Sequence, residues 1–335
     1  MKLNTLKRTL ALTLSIPMIL TACATETKVE TNNEAEKAAG DKTYKIGVSQ
    51  LVQHPSLDQA MEGFVDELKA QGVNIEVDVQ NAQGETANTQ MIAEKFVKDE
   101  VDMIYSIATL STQSAKKATE NSNIPVLFSA VTDPVFSQIV KSTDQIGNVT
   151  GVTDKVDASQ ILKSAKDLKE NIKVIGIIYN IGESNSEIQV EEVKSAAAEL
   201  GMTVETVGIT TVNDIPQAVN TLAKKIDVMY VISDNMVASA IQLVANLCVE
   251  NKILTLSSIE SQAADGILMS NGLNYYELGK QVGQMAKSIL VDGADIKTLS
   301  VESPAGLKKV VNVKTMEALG LTKENKAFEG AEFIE

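Results

Sequence analysis

The sequence predicts an α/β protein of two doubly wound parallel-sheet lobes joined by a multi-strand hinge. Three observations point there. From residue 44 onward, short β-favouring apolar runs alternate with helical patterns. One strand–turn–helix stretch occurs twice: residues 226–240 (IDVMYVISDNMVASA) and 101–115 (VDMIYSIATLSTQSA) match at an offset of 125. Asp102 then falls on Asp227, Tyr105 on Tyr230, Ile107 on Ile232, Thr109 on Asp234 and Ser114 on Ser239. Both copies end their strand in polar residues, and open α/β sheets bind ligands outside that end. Two matched halves with polar strand ends imply a small-molecule clamp.

At 335 residues the chain suits two domains of ordinary size, and 44% apolar with 22% charged residues is a globular composition. A net charge of −14 without a basic stripe speaks against nucleic acid. Two cysteines, Cys23 and Cys248, and one histidine leave no disulfide framework and almost no metal chemistry. No metal, cofactor or catalytic residue is expected.

The N-terminus sets the compartment. Lys2, Lys7 and Arg8 precede an apolar run over residues 10–20, too short for a comfortable membrane span. Leu20-Thr21-Ala22-Cys23 resembles the lipobox of bacterial lipoproteins, which implies a lipid anchor on Cys23; the alternative is an ordinary secretory signal. Residues 24–42 hold almost no bulky apolar side chain and read as a tether. The expected divisions are a lipoprotein signal peptide at 1–22, a tether at 23–43, lobe 1 at 44–150 plus 275–300, and lobe 2 at 151–274. Residues 301–335 supply a crossing and a C-terminal strand and helix.

Within lobe 1, strands are expected at 45–48, 73–79, 102–107 and 123–128. Ser56 is the expected N-cap of the first helix, and Gly72 its stop. Residues 147–152 read as a crossing. The pattern then restarts, with strands at 173–179, 202–209, 226–232, 251–256 and 266–270. A helix at 235–247 follows the repeated stretch. Residues 271–274 read as a return crossing into a long helix at 275–290, and 310–313 and 314–319 close the chain as strand and helix.

The strand ends gather Gln50, Gln53, His54, Ser56, Asn81, Thr109, Ser111, Thr132 and Asp133 from one half. The other half offers Tyr179, Asn180, Glu183, Ser184, Asn185, Ser233, Asp234 and Asn235. Most are neutral hydrogen-bonding groups beside helix N-termini, where free N–H groups suit a carboxylate. Ser56, Thr109 with Ser111, and Ser184 with Ser186 hold such positions. Asp234 is the acid placed to pair a ligand ammonium, and it also suits an N-cap; the two roles are compatible. Asp133, before Pro134, serves either a turn or a ligand. His54 faces the cleft or solvent, and a core position is not expected. Cys248 packs as a small hydrophobe. Of Tyr275 and Tyr276, one packs under the crossing and the other reaches the cleft rim. Leu51, Leu57, Val131, Pro134 and Ile181 are candidates for an apolar side-chain pocket.

Seven motifs in order then match a known family. QLVQHPSLD (50–58), VQNAQG (79–84), AVTDPV (130–135), GNVTGV (147–152), YNIGESNS (179–186), SDNMVASA (233–240) and YYELG (275–279) resemble ABC-transporter substrate-binding proteins of the tryptophan/tyrosine type. The resemblance implies a type I periplasmic-binding-protein fold and capture of an amino acid, Trp, Tyr or Phe. It places ligand contacts at Gln50, Val52, His54, Ser56, Leu57, Asn81, Ala108, Thr109, Val131, Thr132, Asp133, Tyr179, Asn180, Glu183, Ser184, Asn185, Asp234 and Asn235. Ser233 stands where Thr is common, and residues 257–260 depart from the usual loop. The implied partners are an ABC permease and its ATPase, with the protein a lipid-anchored, extracytoplasmic monomer. Other readings are a binder of an aliphatic amino acid, sugar or nucleoside, or a sensor for a membrane receptor. A hydrolase reading has no support: no G-x-S-x-G elbow, metal cluster or phosphate loop occurs.

Overall fold

The computed structural model describes residues 42–144 and 147–335. The expected signal peptide, Cys23 and nearly all of the tether lie outside the described residues.

The first lobe is built on β1 (Tyr44–Gln50), β2 (Ile75–Asn81), β3 (Met103–Ile107), β4 (Val126–Val131) and β5 (Val149–Thr153). The strands run parallel in the order β2-β1-β3-β4-β5. Helices α1 (Pro55–Ala70), α2 (Thr86–Lys98) and α3 (Thr109–Ala118) connect them. Every residue of β3, β4 and β5 is buried, as continuous apolar runs in a sheet covered on both faces should be. This corrects the reading of 147–152 as a crossing. Val149–Thr153 pairs with β4, and the chain leaves the lobe only afterwards. Gly151 permits the pairing, because a Cβ there would sit 2.1 Å from the Phe128 carbonyl oxygen.

The second lobe holds β6 (Val174–Asn180), β7 (Thr203–Ile209), β8 (Val228–Val231), β9 (Leu254–Ile259), β10 (Met269–Leu273), β11 (Lys308–Asn312) and β12 (Glu332–Ile334). Their order is β12-β11-β10-β9-β8-β6-β7. β10 and β11 are antiparallel and the other pairs parallel, so the sheet is mixed at one edge. The short edge strand β12 carried no sequence signal. Its helices are α4 (Ala158–Leu168), α5 (Ser184–Glu199), α6 (Ile215–Leu222), α7 (Asn235–Ser239) and α8 (Ile241–Glu250). The single helix expected over 235–247 breaks at Ala240, whose φ of −124° and ψ of 27° leave the helical region.

Helix α9 (Tyr275–Leu290) returns to the first lobe and lies along α1. Glycines let the two backbones touch: a Cβ on Gly63 would stand 2.0 Å from the Tyr276 oxygen, and one on Gly279 2.0 Å from the Ala60 oxygen. Beneath them Phe64 stacks on Tyr105 with ring centroids 4.1 Å apart. α10 (Val313–Ala318) follows β11. The lobes are joined by three crossings: after Thr153, between Leu273 and Tyr275, and around Glu302. Glu302 accepts from the Thr153 amide (3.0 Å) and donates its own N–H to the Gly151 carbonyl (2.9 Å), so two crossings run side by side.

Candidate functional site

Both lobes aim the carboxyl ends of their strands and the N-termini of the following helices at one interface. A cavity of about 10 Å³, room for about one water, lies there. His54, Leu57 and Ala130 of lobe 1 line it, with Ser233, Asp234, Asn235, Ala238 and Ile259 of lobe 2 and Asp154 and Tyr275 from the crossings.

The second-lobe wall rests on two buried carboxylates. Asp234 caps α7 through the Val237 amide (2.8 Å), and its other oxygen accepts from the Asn180 amide (2.6 Å) and the Ser186 hydroxyl (2.7 Å). Burial, and then the neighbouring Glu183 charge, push its carboxyl above the usual carboxylate range. Glu183 accepts from the side chains of Asn180 (3.1 Å), Asn185 (3.0 Å) and Asn235 (2.5 Å) and from the Asn235 amide (3.2 Å). These bonds fix the loops after β6 and β8 to one another.

The crossings add a third acid. Asp154, 3% exposed, accepts from the Thr132 hydroxyl (2.8 Å) and the Tyr275 hydroxyl (2.5 Å). Burial raises its carboxyl pKa, and the Tyr275 and Thr132 hydrogen bonds oppose that rise. Thr132 in turn receives a bond from Gln189 of lobe 2 (3.4 Å), whose amide also pairs with both main-chain polar groups of Ser233. One buried network therefore runs from lobe 2 through lobe 1 to two crossings. Further links across the cleft are Ser56 to Ser261 (3.0 Å), Ser137 to Ser184 (3.1 Å), and Lys155 between Asp133 (3.5 Å) and Glu192 (2.6 Å).

His54 is 5% exposed, and neither ring nitrogen makes a hydrogen bond of full geometry, although the Asn235 side chain stands beside the ring as a hydrogen-bonding neighbour. Desolvation lowers its pKa to about 4, against smaller opposing effects of Asn235 and Asp58, so the ring is neutral. At the start of α3, the hydroxyls of Thr109 and Ser111 are likewise buried and unpartnered. Ala108 before them holds φ 82° and ψ 158°, a conformation that strains any residue with a Cβ.

Of the residues expected to bind ligand, His54, Leu57, Asp234 and Asn235 line the cavity. His54 is buried between the lobes rather than on the surface. Ser56 is not the N-cap: α1 starts at Pro55 with His54 in the cap position, since proline suits a first turn that needs no N–H. Its hydroxyl reaches Ser261 instead. Thr132, Asn180, Glu183 and Asn185 form the supporting network behind the wall, and Ser184 bonds Ser137 across the cleft. Gln50 donates to the Val52 carbonyl and to Asp58 and so shapes its own loop. Asn81 accepts from the Gln83 amide, and Asp133 from the Val135 and Phe136 amides, which makes both turn residues. Tyr179 packs against the lobe 2 core, Leu51 and Val131 sit in the lobe 1 cores, and Ile181 is exposed. The sequence reading missed Asp154, Ala130, Ala238 and Ile259, and left Tyr275 undecided. Asp154 stood two residues beyond GNVTGV, where a lone acid entering a crossing was the available signal.

Two α/β lobes closed by three crossings on a small buried polar cavity define a binding protein of the type I periplasmic class. The chain belongs to the ABC transporter substrate binding protein family, whose model matches residues 45–332. It is 38% identical over 310 residues to a "Tyrosine-binding protein" of Clostridioides difficile (strain R20291), covering 91% of this chain and 89% of that protein. A Streptococcus pneumonia ABC domain solved in complex with L-Trp is 32% identical, with a TM-score of 0.82 over 88% of this chain and 100% of that one. A ligand-free, open structure of a Clostridium difficile substrate binding protein with adhesive properties is 38% identical, with a TM-score of 0.67 over 87% and 99% of the two chains. The higher identity pairs with the poorer superposition. That is expected when lobes closed here are compared with lobes standing open. The family is one of extracytoplasmic solute binders and not of enzymes. Among the described residues, no helix is long and apolar enough to cross a membrane.

Proposed function

We propose that this protein captures an aromatic amino acid, Tyr, Trp or Phe, between its lobes and delivers it to an ABC importer. The observation that carries the reading is the charge of the cavity. Asp154 and Asp234 line it, His54 is neutral, and no Lys or Arg among the described residues does so. Buried acids without a cation favour a ligand that brings an ammonium. The free hydroxyls of Thr109 and Ser111 at the α3 N-terminus suit the ligand carboxylate. Leu57, Ala130, Ile259 and the Tyr275 ring offer faces for an apolar side chain. The tyrosine-binding relative and the L-Trp complex support the aromatic choice.

A cavity of about 10 Å³ cannot admit an amino acid, so the lobes must part for entry and close less tightly around the ligand. The crossings stay joined while the Ser56–Ser261, Ser137–Ser184 and Gln189–Thr132 links break and re-form, as in hinge closure. Lipidation of Cys23 would keep the monomer at the outer face of the membrane, beside its permease and ATPase.

The test is a thermal-shift screen of the purified chain against all amino acids, with sugars and nucleosides alongside. A rise with Tyr, Trp or Phe is expected. A rise only with aliphatic residues would refute the aromatic pocket, and one only with sugars or nucleosides the zwitterion reading.

A further inference from the structure

We infer that the ammonium of the bound amino acid is held by Asp154 on the first crossing, with Asp234 serving as structural support; this rests on the zwitterion reading above. Both carboxylates line the cavity, but their partners differ in kind. Asp234 is held by the main-chain N–H groups of Asn180 and Val237 and by Ser186. Turning it towards a ligand would leave two buried amides without an acceptor. The partners of Asp154 are mainly hydroxyls, from Tyr275, Thr132 and Ser233, together with its own main-chain N–H. Hydroxyls can rotate to another acceptor, so a ligand ammonium can displace them from the carboxylate without leaving a buried main-chain N–H unpaired.

A second observation marks the same space as a ligand site. His54 lines the same cavity, more than nine-tenths buried, and beyond the Asn235 side chain beside it neither ring nitrogen has a hydrogen bond of full geometry. A neutral imidazole cannot offset a carboxylate charge, so a ligand that brings a cation and a further hydrogen-bond partner suits this space. The place of Asp154 in the fold also suits the task. It sits on a crossing, bonded to Thr132 of lobe 1 and to Tyr275 of a second crossing, and so keeps its position however far lobe 2 swings. Ligand bound there meets the Gln189–Ser233 side of the network only on closure.

The experiment compares affinities for L-tyrosine and for 3-(4-hydroxyphenyl)propionate, its analogue without the amino group, in wild type, Asp154→Asn and Asp234→Asn. Asp154→Asn should weaken tyrosine binding by about 30-fold or more while leaving the deaminated analogue nearly unchanged. A merely structural role would weaken both ligands equally and overturns the assignment. So does a loss of discrimination in Asp234→Asn alone. Should Asp154→Asn fail to fold, a crystal structure of the wild type with L-tyrosine decides. The ligand nitrogen should lie about 2.7–2.9 Å from an Asp154 oxygen, and a nitrogen resting on Asp234 refutes the inference. If the wild type binds an aliphatic amino acid instead, only the aromatic reading fails, and that amino acid with its deaminated analogue gives the same comparison. Binding of no amino acid at all would sink both.

Discussion

Replacing His54 with Gln should change how stability depends on pH, and the sign follows from the burial of the ring. In the unfolded chain the imidazole has its ordinary pKa of 6.5, whereas between the lobes it is lowered to about 4. Below pH 6.5 the unfolded chain therefore takes up a proton that the folded chain refuses. Stability is lost as pH falls from 6.5 towards 4. At about 1.4 kcal/mol per pH unit the full drop is worth roughly 3 kcal/mol, of which about 2 kcal/mol is reached near pH 5. Asp234 and Asp154 act the other way, since their raised pKa values let the folded chain bind protons that the unfolded chain releases. The wild-type profile alone mixes these effects, and the difference between wild type and His54→Gln isolates the histidine. Urea denaturation from about pH 7.5 to pH 5 should show the variant gaining about 2 kcal/mol on the wild type as pH falls. Parallel profiles, within about 0.5 kcal/mol, would mean that His54 is not buried neutral, and the account of the cavity would fail.

Two further outcomes follow from the backbone. Gly279→Ala should destabilise the fold by about 1–3 kcal/mol or more, read as a lower urea midpoint, because the new methyl would meet the Ala60 oxygen at 2.0 Å between two packed helices. Ala108→Gly should stabilise it by about 1 kcal/mol, because φ 82° with ψ 158° costs any Cβ-bearing residue more than glycine's extra chain entropy; a loss on that substitution would refute the strain.

The repeated stretch made the architecture legible. Two copies of strand, polar turn and helix can bury their apolar sides only as parallel sheets with helices on both faces, so class, duplication and cleft all followed from periodicity. Elements whose partners lie far off in sequence were not legible in the same way. Val149–Thr153 is a sheet strand because β4 lies beside it, and β12 exists only because β11 offers an edge. The break at Ala240 is equally a matter of surroundings.

The site divides along the same line. That His54, Leu57, Asp234 and Asn235 line the cavity could be read from sequence, because strand ends and helix starts are local signals and those places face the cleft in this fold. What each side chain does there depends on which groups the other lobe brings. Asn81 and Asp133 cap their own turns, and Asp234 was taken up by amides 54 and 3 residues away. Asp154 gained its place only when two crossings, 121 residues apart, came together and put Tyr275 on its carboxylate. The sequence by itself determined the two-lobed fold and the ends that face each other. The tertiary structure alone decided which acids are held by main-chain amides and which by hydroxyls, because hydrogen-bond partners are fixed by proximity in space.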